Sequence, residues 1–116
     1  MDRGDVVRVQ LPRPAGPSGR EQFGTRPAVV VQDEKKSHAS LSTVVVVPLT
    51  SQLYAARFPG SFVVAPSARN GLRTDSVVLT HQVRAIDRRR IEAVIGKLED
   101  GDMTTLDAEL RSLLRL

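Results

Sequence analysis

The chain has 116 residues, 17 Lys and Arg against 13 Asp and Glu, a formal charge of +4 and a pI near 10.3. That length supports one hydrophobic core and not two, and the positive balance suits an anionic partner. The absence of cysteine excludes a disulfide framework and a thiolate metal site, and no apolar run reaches the ~18 residues of a membrane span, so the chain reads as one domain, 1–116, suited to a reducing cytoplasm and without membrane contact.

In chain order, Gly4-Asp5-Val6-Val7-Arg8-Val9-Gln10-Leu11 alternates Val7, Val9 and Leu11 with Arg8 and Gln10, which predicts a half-buried first strand from about Asp5. Pro12 to Thr25 is rich in proline and glycine and reads as a long loop. Ala28 to Gln32, bounded by Pro27 and by Asp33-Glu34-Lys35-Lys36, predicts a central second strand. The valine run in Thr43 to Thr50 predicts a third strand buried on both faces, with an edge or bulge at Pro48. Ser61 to Ala65 and Ser76 to Val83 predict a fourth and a fifth strand, separated by the turn signals Pro66-Ser67 and Asn70-Gly71.

Asp87 is expected to cap a single turn at Arg88-Arg89-Arg90, and Ala93 to Leu98 fits either a sixth strand or continued helix. Met103, Leu106, Leu110, Leu113 and Leu114 recur at helical spacing, which predicts a C-terminal helix capped by Asp100 or Asp102 and lying on the sheet. The expected architecture is mainly β, a small bent antiparallel sheet with one C-terminal helix.

Two apolar runs end in chemistry. The second strand is preceded by Arg26, the third closes in Thr50 and Ser51, and antiparallel neighbours would bring Arg26 and Thr50 together across their ends. Taken singly, Arg26 reads first as an ordinary loop-exit arginine and Thr50 as a strand-end turn hydroxyl. The two histidines, His38 and His81, lie far apart in the chain without carboxylates at ligand spacing, so no metal is expected. Gly-x-Ser-x-Gly, P-loop and dinucleotide fingerprints are missing, which leaves no expected cofactor. Only Phe23, Tyr54, Phe58 and Phe62 are aromatic, which limits base stacking as a source of affinity.

Five blocks taken in order resemble the MazF/PemK (Kid) toxin family. They are Arg3-Gly4-Asp5-Val6; Glu21-Gln22-Phe23-Gly24-Thr25-Arg26-Pro27-Ala28-Val29-Val30-Val31; Pro48-Leu49-Thr50-Ser51; Asp75-Ser76-Val77-Val78-Leu79; and Gln82-Val83-Arg84-Ala85-Ile86-Asp87. The resemblance implies an SH3-like barrel of the CcdB/PemK type, a homodimer, and a toxin that cleaves single-stranded mRNA at specific sequences without a metal, neutralised by a cognate antitoxin. It implies Arg26 and Thr50 as the catalytic pair. It places the RNA groove on Glu21 and Gln22 of the loop, on Ser51, on Asp75 and Ser76, and on His81, Gln82 and Arg84.

The chain departs from the PemK branch of that family. Arg20 stands where that branch has a histidine, and Leu79 and His81 stand where it has an arginine and an aspartate, so its acid/base assignment does not carry over. Metal-free cleavage can instead use the ribose 2′-hydroxyl as nucleophile, with Arg26 meeting the anionic transition state and Thr50 orienting the phosphate or the 2′-hydroxyl. His81 supplies an imidazole that could move a proton. Two rival readings use the same fold: a CcdB-like toxin acting on a protein target such as gyrase, and a basic module that holds RNA without cutting it.

Overall fold

The computed structural model describes residues 1–13 and 23–116. Among the described residues the strands are β1 (Asp5–Leu11), β2 (Gly24–Val30), β3 (Thr43–Thr50), β4 (Phe62–Val64), β5 (Ser76–Val78), β6 (Arg84–Asp87) and β7 (Ile91–Lys97), followed by the helix α1 (Asp100–Leu114). All pairings are antiparallel, in the order β4-β5-β3-β2-β1-β7, and β6 joins at β3. The expected mainly β architecture with a C-terminal helix is therefore present. Register shifts in β1 against β7, between Val6 and Val7 and between Arg8 and Val9, mark where the ladder bends.

The apolar runs build two cores, one on each face of the sheet. Val7, Val9, Leu11, Ala28, Val30, Val44, Val46 and Ile86 form one. Val6, Val29, Val47 and Leu49, their alternating neighbours, form the other with Leu98, Leu106 and Leu110 of the C-terminal segment. Because side chains alternate across a strand, a run of valines is what a strand covered on both faces requires. Leu106 is fully buried and Met103 packs beside it, so α1 does lie on the sheet. Each such leucine contributes ~2 kcal/mol by leaving water.

Four expectations need correction. β2 begins at Gly24 rather than Ala28, because pairing with β1 continues through Pro27↔Arg8 to Gly24↔Leu11. The proline withdraws one N–H, and the remaining pairs hold the ladder. Pro48 is buried in an inner strand and is not an edge: it sits where β3 leaves β6, last paired at Val46↔Arg84, and takes β5 at Leu49↔Val78.

The fifth strand is also shorter than expected. It stops at Val78, and a 3-10 turn Thr80–Gln82 turns the chain so that β6 can join the first half of β3. The buried Thr80 hydroxyl fixes that turn by donating to the Gly60 carbonyl at 2.8 Å. Finally, the N-cap position of α1 is Glu99, without a side-chain cap bond. Asp87 caps its turn as expected, accepting from the Arg89 N–H at 2.9 Å, and residues 91–97 form a strand.

Candidate active-site cleft

β2 and β3 are paired at Ala28↔Pro48, Val29↔Val47 and Val30↔Val46. The ladder stops there, so Arg26 and Thr50 lie on neighbouring strand ends, each two residues beyond the last pair. Arg26 is half-buried and lines a cleft of about 400 Å³; its Nε donates to the Phe23 carbonyl at 3.2 Å, which turns the guanidinium back along the strand end. Thr50 is 5 % exposed and does not line the cleft. Its Oγ1 accepts the Gln52 N–H at 3.2 Å, so the hydroxyl holds the turn after β3 and keeps its own proton to donate.

Other cleft-lining residues come from five places. Ser51 follows β3, Ser76 opens β5, and Arg8 projects from β1, where Glu92 accepts from its Nε at 3.2 Å. Arg73 and Thr74 come from the segment between β4 and β5, and Thr25 from β2. Arg8, Arg26 and Arg73 give the wall three guanidinium groups, and among the described residues no carboxylate lines it. Arginine forks beside hydroxyls suit phosphate oxygens.

The wall carrying Arg73 is held by a buried polar lock. Asn70, with no exposed surface, donates through Nδ2 to the Ala65 carbonyl and to Glu99 Oε1, both at 2.9 Å. Its Oδ1 accepts the Ser67 and Leu72 N–H groups at 3.0 Å each, and Ser67 Oγ donates to Glu99 Oε2 at 2.6 Å. The Ser67 bond first, then that from Asn70, holds the Glu99 carboxyl below the usual range against the opposing effect of burial. The segment next crosses β7 so closely that a Cβ on Gly71, whose φ is +70°, would lie 2.1 Å from the Ile95 carbonyl oxygen. Only glycine fits there.

The other predicted residues fall elsewhere. His81, Gln82 and Arg84 line a second, shallow depression of about 310 Å³ between β5 and β6. Asp75 is exposed and outside the cleft lining, and Glu21 and Gln22 lie outside the described residues. Leu79 is buried with Val77 and Ala55, a packing role. Sequence reasoning missed Arg8, Thr25, Arg73 and Thr74. The signal available was the exposed face of β1 and the residues just before Asp75-Ser76.

The pattern described as PemK-like, MazF-like toxin of type II toxin-antitoxin system matches residues 2–114. The chain belongs to this family. It is 35 % identical over 116 residues to Endoribonuclease EndoA of Bacillus subtilis (strain 168), covering all of this chain and 96 % of that protein. Its fold is that of the MazF crystal structure (Form-I) from Deinococcus radiodurans, with a TM-score of 0.78 at 24 % identity, covering 100 % of this chain and 97 % of the other. The MazE-MazF structure (Form-II) from the same organism gives a TM-score of 0.71 at 27 % identity, covering 100 % and 96 %. Within this MazF/PemK-type fold, the cleft lies at the ends of β2 and β3 and the shallow depression follows β5.

Proposed function

We propose that the chain is a toxin of a type II toxin-antitoxin system and acts in the cytoplasm as a sequence-specific, metal-independent endoribonuclease on single-stranded mRNA. The observation that carries this reading is the cleft in which Arg8, Arg26 and Arg73 stand among hydroxyl groups with no carboxylate in the described lining. In this reading the 2′-hydroxyl forms a bond to the adjacent phosphorus as the bond to the 5′-oxygen breaks. The 2′-oxygen gives up its proton and the leaving 5′-oxygen gains one, so the products are a 2′,3′-cyclic phosphate and a 5′-hydroxyl. Arg26 spans two phosphate oxygens and stabilises the crowded dianionic transition state, and Thr50, the second member of the catalytic pair, acts from behind the cleft lining, where its hydroxyl fixes the strand end that carries Ser51 into the cleft. A guanidinium stays charged at working pH and serves as an electrostatic group rather than a base. DNA, which lacks the nucleophile, is inert.

Ser51 and Ser76 extend the phosphate path from that centre, while His81, Gln82 and Arg84, with Asp75 and the loop residues Glu21 and Gln22, carry RNA beyond it. The protein works as a homodimer, and its cognate antitoxin presents an acidic segment that competes with RNA for the arginines. The test is incubation of purified protein with a long unstructured RNA in EDTA, followed by sequencing of the ends. Discrete cuts ending in cyclic phosphate are expected, and Arg26→Ala should slow them by about two orders of magnitude or more. Intact RNA, or full activity in Arg26→Ala, would refute the proposal.

A further inference from the structure

Three of the four aromatic residues are not spent on the main cores: Phe23, which carries Arg13 over its ring at 4.3 Å, and the neighbours Tyr54 and Phe58. Tyr54 and Phe58 lie on the 3-10 turn Leu53–Arg57 and the residue that follows it, just beyond β3. Tyr54 is 61 % exposed. The Arg57 guanidinium carbon stands 5.7 Å from the centre of its ring and 5.5 Å from that of Phe58, whose ring in turn lies 5.4 Å from the imidazole of His81, tilted by 52°. The result is a chain of contacts between flat groups, Tyr54, Arg57, Phe58 and His81, that begins three residues after the cleft-lining Ser51 and ends at the depression that holds Gln82 and Arg84.

This row is a fixed platform. Ala55 is buried against Val77 and Leu79, and Phe58 packs on the same cluster. The turn is bonded internally, Ala55 N–H to the Gln52 carbonyl at 3.0 Å and Phe58 N–H to the Ala55 carbonyl at 3.1 Å. The Gln52 N–H is itself bonded to the Thr50 hydroxyl, so the platform is tied to the proposed centre through one residue. An exposed ring already held by a cation on one side offers its other face to a second flat group. No acidic residue occurs in the sequence between Glu34 and Asp75, and the carboxylate that approaches the segment, Glu109 of α1, stands at Gly60 beyond Phe58, so the Tyr54–Arg57 end of the row is the one that favours a polyanion. Single-stranded RNA combines that charge with flat bases that stack on aromatic and guanidinium planes.

We infer that Tyr54, supported by Arg57, stacks a nucleobase next to the scissile phosphate and is a positioning residue that helps set where the RNA is cut. The inference rests on the nuclease reading and adds to it a specific base contact. RNA, rather than an antitoxin segment, is the occupant because the platform is tied to Thr50 and is built of planar groups.

The test uses the full-length protein with a short RNA containing one cut site, and a set of the same RNA with an abasic nucleotide at each position around the cut. Tyr54→Ala should raise KM about tenfold or more with kcat nearly unchanged, Tyr54→Phe should behave as wild type, and the loss should vanish on the one RNA that lacks the stacked base. A loss of the same size on every abasic RNA, or no loss, overturns the inference while leaving the nuclease reading intact. If Tyr54→Ala cleaves normally yet no longer binds the antitoxin, the platform belongs to the protein partner and the inference is overturned. A wild-type protein that cuts none of the RNAs overturns both.

Discussion

Gly71→Ala tests how the cleft wall is held. The new Cβ would be built at φ +70°, where an L-residue is disfavoured by ~1–2 kcal/mol, and would fall 2.1 Å from the Ile95 carbonyl oxygen. A backbone carbonyl inside β7 cannot swing aside as a flexible side chain does, and forced overpacking adds ~1–3 kcal/mol. The combined cost is about 3 kcal/mol, and for a chain of this length each kcal/mol moves Tm by about 4 °C, so the melt should fall by about 12 °C. Gly101→Ala is the matched control: a Cβ there would meet no atom within 4 Å and the residue lies inside α1, so helix propensity should raise Tm by about 2 °C. Far-UV circular dichroism melts at one fixed protein concentration measure both. Cleavage assayed below the variant's Tm should also drop, since Leu72, Arg73 and Thr74 move with the crossing. A Gly71→Ala protein that melts within about 2 °C of wild type would refute the account.

Glu99→Gln should lower Tm at neutral pH and have little effect in acid. The Glu99 carboxyl is held below its usual range when folded, so its contribution is present above the unfolded value near 4.5 and is lost as pH falls through the folded value; melts across pH should show the two proteins converging. Arg88→Met should loosen the β2–β3 connection, because Arg88 donates to both carboxylate oxygens of Glu34, whose side chain is 3 % exposed, and to the carbonyls of His38 and Leu41. Hydrogen exchange should report faster amide turnover in residues 36–42, and an unchanged pattern would count against this clamp.

Much of the fold was legible because burial repeats with a period. The alternation of Val7, Val9 and Leu11 with Arg8 and Gln10 reappears as buried and exposed positions of β1, and Val44, Val46 and Val47 of β3 are buried in the cores on its two faces. What escaped depends on contacts between distant segments. Ser76 to Val83 has the composition of one strand, and its break is made by the Thr80 hydroxyl reaching Gly60 and by the Leu79 N–H reaching Pro48. The helix cap was missed because Glu99 has its carboxylate engaged by Ser67 and Asn70, some thirty residues earlier. The site divides in the same way. Arg26, Ser51 and Ser76 were readable as members of ordered blocks, while Arg8 and Arg73 reach the cleft only through the sheet register and the Gly71 crossing.

The change of partner along β3 explains why the strand ends in chemistry. From Thr43 to Val46 the strand is paired by β6 and from Val46 to Pro48 by β2; beyond Pro48 it is paired by β5, and the β2 ladder has ended at Ala28. The edge of β2 is thereby released from β3 at Arg26, while β1 still holds the backbone at Val9↔Arg26. One residue is fixed in position yet faces a gap, and the gap is the cleft. Thr50 remains paired to Val77 and buried, with its hydroxyl engaged by Gln52. A half-buried guanidinium on a strand end held by β1 can meet a charged ligand without full desolvation, while the threonine on the neighbouring strand end is fixed by its turn.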